Sequence, residues 1–565
     1  MENKAISIGI ENYKEIIDKD YYYIDKTLFI KDLLDKGGKV NVFTRPRRFG
    51  KTLALSMIKT YFEKEIDYQG NIVDNSSYFT GKNIIKAGEK YTCHMGKYPV
   101  ISLSLKSAKQ PDFQMAHTSL IDEITKEYER HSYVLQGNVL SEENHDRYKR
   151  IMSRKAEPID YAKSLKFLSD CLKRYYNTGV IILIDEYDVP LENSYFRGFY
   201  DKMIDFLRSL FESALKTNDS LEFAIITGCL RISKESIFTG LNNLEINSIL
   251  TQNYAEYFGF TEAEVEKMLK DYELEEKIPE AKEWYDGYLF GDTEVYNPWS
   301  VINYVKTAIS NKNPLPKPYW SNTSSNSIVR NLVEKAEEET KAEIETLIQG
   351  GTIEKPVHED ITYEDIDKSQ DNLWNFLFFT GYLKKNAEYR LDRRIYLKLA
   401  IPNEEVKYIY ENTIQEWFQQ RLEQANLSTL YTAVLEGDCD TFASTVTDQL
   451  LECISYNDYK EDYYHGFLCG LLKGCKGYRV ISNRESGTGR YDIVMRYPSA
   501  RGKAMIMEIK MADTFQELEA GCEEALKQIE DRKYDAELLA DGYRDIIKYG
   551  ICFYKKECMV KKCQF

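Results

Sequence analysis

The chain has 565 residues, 43% of them hydrophobic and 29% charged, which is too long for one core and ordinary for a folded globular protein. Its net charge of −16 argues against a broad electrostatic footprint for nucleic acid but leaves room for a local one. No apolar run approaches the ~20 residues of a membrane span, and the first residues lack the apolar region of a signal peptide. Eleven cysteines without a CxxC pair read as reduced packing residues, which points to a cytoplasmic protein with no membrane partner.

Leu28, Ile30, Leu33 and Leu34 share helical spacing, and Gly37-Gly38 closes that helix. Asp25, Lys26 and Thr27 precede it, with Thr27 as the expected cap. The chain then reads VNVFTRPRRFGKTLALSMIKTYF over 40–62. Val40–Phe43 has a strand pattern, TRPRRFG is a basic turn, and an amphipathic helix follows from Lys51. A strand, a basic turn and Gly50-Lys51-Thr52 opening a helix form a phosphate-binding loop. Free N–H groups and the helix dipole favour an anion there, Lys51 reaches phosphate oxygens, and Thr52 ligates Mg²⁺. Arg48 adds charge to the turn. Arg45 occupies the place of the motif's first glycine, so a basic surface turn remains the alternative on this stretch alone.

Tyr98–Leu105 reads as a buried strand, and Asp112–His131 and Tyr161–Tyr176 read as helices. Val180–Ile184 is a continuous apolar run, as in a strand covered on both faces of a parallel sheet. It ends in Asp185-Glu186, where Asp185 would hold Mg²⁺ through water and Glu186 would polarise the attacking water of ATP hydrolysis. A further strand, Leu221–Ile226, leads to Thr227, placed to sense the γ-phosphate, and to Arg231, which is either a charge-stabilising arginine or a surface one.

Residues 245–310 read as a helical lid, with Thr261 and Glu264 spaced as a capping box. Asn311–Trp320 is Pro-rich and reads as a linker. Asn331–Ile348 and the LWNFLFFTGY stretch read as helices, and YRLDRRIYLKLA alternates as strands, which suits a small winged-helix-like unit or a spacer. Residues 404–460 read as mostly helix. The expected domains are therefore 1–245, a lid at 246–310, a middle region at 311–440 and a final domain at 441–565.

In that final domain, helix and strand lead to Asp492 at the start of an apolar strand, and AMIMEIKMA carries Glu508 and Lys510 on one face of the next. Asp492 and Glu508 suit one Mg²⁺ ion, which stabilises charge on a scissile phosphate, while Lys510 orients or deprotonates water. A buried Glu508–Lys510 ion pair is the plainer alternative. Glu485, seven residues before Asp492, either adds a carboxylate to that site or is a loop charge. Basic residues cluster at Arg45–Lys51, at Arg479–Arg496 and at Lys555, Lys556, Lys561 and Lys562.

Together, YIDKTLFIKDLL, TRPRRFGKT, ILIDEYD, ITGCLRISKESIFTGLNN and YNPWS resemble the bacterial AAA-ATPase-like family. YYHGFLCGLL, ESGTGRYDIV, MEIK and ALKQIEDRKY resemble the PD-(D/E)XK nucleases attached to it. The resemblance implies an α/β fold class: a P-loop ATPase core with a parallel sheet and helical lid, a mainly helical middle, and a C-terminal α/β restriction-endonuclease-like domain. It implies ATP and Mg²⁺ as cofactors and nucleic acid as partner, DNA before RNA, with assembly as a homo-oligomer left open. It assigns the nucleotide site to Gly50, Lys51, Thr52, Asp185 and Glu186, to which the reading of the residues themselves adds Arg48, Thr227 and Arg231. It assigns the nuclease site to Asp492, Glu508 and Lys510, with Gln528 and Tyr534 on the helix that follows.

Overall fold

The computed structural model describes residues 4–564 except 68, 138, 231–236, 238–242, 312–313, 322–328, 330–337, 358, 360–362, 364, 366–368, 425–426, 453–460 and 487–488. The chain divides into two compact units, Met1–Ser325 with Thr352–Tyr408, and Asn326–Gly351 with Ile409–Phe565.

The first unit is built on five strands: β1 (Val40–Thr44), β2 (Val100–Ser104), β3 (Val180–Asp185), β4 (Leu221–Gly228) and β5 (Leu244–Asn247). They form one parallel sheet in the order β2-β3-β4-β1-β5. β1 and β3 are buried along their whole length; β3 is continuously apolar over Val180–Ile184, and β1 buries Asn41, whose side-chain amide donates to the Gly38 and Ala224 carbonyls at 2.8 and 3.4 Å. The register aligns Phe43 with Thr227 and Ser104 with Asp185. The carboxyl ends of β1, β3 and β4 therefore meet at one edge, where open α/β sheets bind ligands. Tyrosine serves packing here: Phe29, Phe43, Tyr254, Tyr257 and Phe258 form one aromatic cluster against β1.

The expected helices are present at Leu28–Lys36, Lys51–Phe62 and Phe113–Arg130, the last capped by Asp112. The helix expected over Tyr161–Tyr176 is two, Pro158–Ala162 and Ser164–Tyr176. Thr27 does not cap Leu28–Lys36. Its buried hydroxyl donates to Asp25 at 2.6 Å and accepts from the Ile84 N–H at 3.1 Å, tying the helix start to a later segment. After β5, the Thr261–Glu264 capping box forms as the spacing predicts. A short hairpin, β6 (Tyr288–Phe290) and β7 (Thr293–Val295), interrupts the helices there and was not anticipated. A second sheet, antiparallel in the order β8-β10-β9, comprises β8 (Ile353–Pro356), β9 (Lys384–Leu391) and β10 (Arg394–Ala400), with the buried helix Gln370–Phe379 between β8 and β9 in the chain.

The second unit holds a five-stranded mixed sheet in chain order: β11 (Arg479–Ser486), β12 (Gly489–Arg496), β13 (Ala504–Met511), β14 (Ile546–Tyr554) and β15 (Glu557–Gln564). Only β13 and β14 pair in parallel, joined through the helix Leu518–Asp531. Ile493, Met495, Met505, Met507 and Ile509 bury one face against helices at Ser428–Glu436, Cys439–Glu452 and Glu461–Lys473. Val494, Ala504 and Ile506 bury the other against Ile529, Tyr534 and Leu538. Continuing that second face along β13 places Glu508 and Lys510 beside the helix Leu518–Asp531.

Candidate functional site

Gly50 caps the helix Lys51–Phe62 in the left-handed region (φ 82°) with open space around it, so glycine is required there by conformation and not by crowding. No side chain caps this helix, and its first N–H groups face the loop. Lys51 is buried, and its Nζ donates to the Arg45 and Pro46 carbonyls at 2.9 and 2.8 Å. Arg48 is exposed, also left-handed (φ 70°), and its guanidinium lies 4.4 Å from the Trp299 ring. Arg45 does not contribute a cation to this turn. It is fully buried beneath it, donates to the carbonyls of Thr44 and Asn247, and sits against Phe258 and Phe290; burial pushes its guanidinium down to about 9.

Asp185 joins the parallel strands to the loop. Its carboxylate accepts from Thr52 Oγ1 at 2.6 Å, from Thr227 Oγ1, and from the Glu186 N–H at 3.0 Å. β3 thus hands one buried carboxylate to the helix start and to β4. Glu186 turns into the left-handed region (φ 54°), a strained geometry for a non-glycine residue. Burial, and then the adjacent Asp185, raises its carboxyl above the ordinary range. Asp188, which the sequence reading passed over, accepts from the Cys229 and Leu230 N–H groups at 2.7 and 3.2 Å and fixes the turn after β4. Its signal was its place three residues beyond Asp185 in ILIDEYD. Arg231 lies outside the described residues. The amine, the uncapped helix start and the Thr52–Asp185 pair form a donor set suited to a triphosphate and its Mg²⁺.

In the second unit, the β12–β13 ladder runs to the pair Ile493–Met507. One residue further, Asp492 Oδ2 accepts from the Ile509 N–H at 2.8 Å, so a side chain replaces the ladder's main-chain acceptor. Burial raises the Asp492 carboxyl, while the Ile509 N–H, His465, Lys510 and a hydrogen bond with Glu508 pull it down. One step beyond the Ile493–Met507 pair, Asp492 and Glu508 lie on the same sheet face, two carboxyls whose charge a divalent cation can offset. Glu508 is buried and accepts from the Gln528 side-chain amide. That amide lies 3.3 Å from the Tyr534 hydroxyl. Gly550, beside Glu508 in register, lets the helix come this close: a Cβ there would fall on the carbonyl oxygen of Cys522.

Among the described residues no group of three or more His, Cys, Asp and Glu side chains converges as a metal cage. Two carboxylates with water suit Mg²⁺, which keeps much of its hydration shell. The Glu485 side chain lies outside the described residues. His465, not singled out in the sequence, donates Nε2–H to the Asp492 carbonyl at 2.9 Å and holds the backbone of β12 in place. Its signal was its position in YYHGFLCGLL. Three of the four tail cations are engaged within the fold, while Lys555 is exposed beside the Tyr554 ring. Lys561 pairs with Glu519 and Glu523, Lys562 donates to the Gly437 carbonyl, and Lys556 pairs with Glu345.

Residues 7–238 match the family model for a predicted AAA-ATPase, and residues 459–563 match the model for the PD-(D/E)XK nuclease superfamily. A curated protein of Azotobacter chroococcum mcd 1, described as an uncharacterized protein in the vnfD 5′ region, is 24% identical over 555 residues, covering 96% of this chain and 94% of its own. The chain joins an AAA-ATPase-like domain to a PD-(D/E)XK nuclease superfamily domain.

Proposed function

We propose that the first unit binds and hydrolyses ATP, that the second cleaves phosphodiester bonds of nucleic acid with Mg²⁺, DNA before RNA, and that nucleotide state controls the cutting. The observation that carries this reading is the convergence of Asp492, Glu508 and Lys510 on one sheet face, with Gln528 holding Glu508. Asp492 and Glu508 would hold Mg²⁺, which would supply charge neutralisation at the phosphate and lower the pKa of a nearby water. Lys510, two residues along the same face, holds or deprotonates that water. In the first unit, Lys51 exchanges loop carbonyls for phosphate oxygens, Thr52 and Asp185 hold the ion, Glu186 orients water, and Thr227 fixes Asp185.

A cytoplasmic setting and a part in defence against mobile elements belong to the same reading. Free buried thiols at Cys171, Cys469, Cys475, Cys522 and Cys552 support the first. Among the described residues no helix is long and apolar enough to cross a membrane. Incubating the full chain with plasmid DNA or RNA, with Mg²⁺ and ATP each present or withheld, tests the reading. Cleavage that needs Mg²⁺ and responds to ATP supports it. ATP and nucleic-acid binding with no cutting under any metal would reassign the second unit as a binding module.

A further inference from the structure

The strands β9 and β10 are joined by a two-residue turn, Asp392-Arg393, and continue outward past β8, which pairs as far as Pro356–Tyr396 and is followed by a bond from the Val357 N–H to the Ile395 carbonyl at 2.9 Å. What projects is a two-stranded ribbon. Arg390, Arg393 and Arg394 are exposed on it, and among the described residues none has an ion-pair partner. Nearby charges are already matched at its base: Lys385 with Glu388, and Lys398 with Glu354. In a chain of net charge −16, Arg390, Arg393 and Arg394, set against the single carboxylate of Asp392 in the turn, leave the tip a local excess of positive charge.

The register distributes them. Arg390 stands opposite Ile395, and Leu391 opposite Arg394, so each face of the ribbon carries one guanidinium and one aliphatic side chain, with Arg393 at the apex. Leu391 and Ile395 are 54% and 46% exposed. The stacked pair Tyr389–Tyr396 stiffens the ribbon below the tip.

From this arrangement we infer that the β9–β10 tip is a nucleic-acid contact that enters the major groove of duplex DNA. A two-stranded ribbon fits that groove, guanidiniums on both faces meet the phosphates or guanine edges on either side, and aliphatic side chains suit thymine methyl groups. The deep, narrow major groove of an RNA duplex excludes such a ribbon, which favours DNA. The inference rests on the proposed nucleic-acid reading and adds a second contact in the other unit.

The experiment measures binding of the full chain to duplex DNA and duplex RNA by fluorescence anisotropy across a salt series, for the wild type, R390A/R393A/R394A and R390K/R393K/R394K. Glu508→Ala is used throughout so that cutting does not intervene. The alanine variant is expected to bind duplex DNA about tenfold or more weakly, with a log–log salt slope shallower by about 3. The lysine variant is expected to keep most of the salt slope, and all forms to unfold at the same temperature. Equal affinity and slope in wild type and alanine variant would overturn the inference while leaving the nuclease assignment, read separately by Mg²⁺-dependent cleavage, intact. Binding to anionic phospholipid vesicles but to no nucleic acid would overturn it as well.

Discussion

Gln528 donates its side-chain amide to Glu508, so the helix Leu518–Asp531 reaches across the sheet to hold the one carboxylate that β13 buries. The helix therefore sets the orientation of a residue it does not contain. Removing such an orienting partner typically costs about 10–100-fold in activity or metal affinity. Gln528→Ala is expected to lower Mg²⁺-dependent cleavage by that factor and to raise the Mg²⁺ concentration needed for half-maximal rate, with little change in thermal unfolding. An unchanged metal dependence would show that Gln528 only packs.

That reach depends on a missing side chain. Gly550 stands beside Glu508, and a Cβ there would collide with the backbone of the helix at Cys522. Backbone cannot yield as a side-chain tip does, so Gly550→Ala is expected to destabilise the second unit by about 1–3 kcal/mol, as overpacking does. Calorimetry should show a lower unfolding temperature, and the folded fraction should cut less than its population predicts, because Gln528 is displaced from Glu508. Wild-type stability would contradict the close approach.

At the other site, Thr227 and Thr52 both donate to Asp185. A hydrogen bond to a charged group contributes about 1.5–3 kcal/mol. Thr227→Val keeps the shape of β4 and removes the donor, and it is expected to slow ATP turnover roughly 10–100-fold, the factor that energy corresponds to. ATP affinity should change little. Asp185→Asn, which removes the charge itself, is expected to abolish turnover. Titration calorimetry and a phosphate-release assay, with Lys51→Ala as the non-binding reference, separate the two effects.

A buried carboxyl near the phosphate loop gives a pH signature. Glu405 is fully buried in the first unit and accepts from the Trp320 N–H at 2.8 Å and from Ser300 Oγ; the Trp320 ring N–H in turn donates to the Arg47 carbonyl at 3.3 Å. Burial pushes its carboxyl from an ordinary 4.5 to about 8. Between those values the folded state binds a proton that the unfolded chain has released. Stability from this group is therefore full below about pH 4.5 and is lost as pH rises through about 8, with a slope of at most ~1.4 kcal/mol per pH unit. Glu405→Gln should flatten the fall in stability between pH 5 and 9 in denaturant melts. An identical profile in both proteins would contradict the assignment.

Much of this was legible in the residues because local rules governed it. The all-apolar run at Val180–Ile184 could only be a strand covered on both faces, and Thr261 with Glu264 could satisfy each other at a helix start. Glu508 and Lys510 share a face because a strand alternates. What was hidden depends on partners distant in the chain. Arg45 turns inward because Phe258 and Phe290 lie behind it, more than 200 positions later. The tail lysines read as a basic cluster until Glu519, Glu523 and Glu345 came beside them. His465 lies in the YYHGFLCGLL stretch, but only the packing of its helix on β12 brings it to the Asp492 carbonyl.

The most direct measurement is cleavage of plasmid DNA by the full chain with Mg²⁺, with and without ATP, in the wild type, Glu508→Ala and Lys510→Ala. Wild-type protein is expected to cut only with Mg²⁺ and at a rate that ATP changes, and both variants are expected to leave the plasmid intact while remaining folded and binding ATP. Cutting by both variants at the wild-type rate would contradict the account.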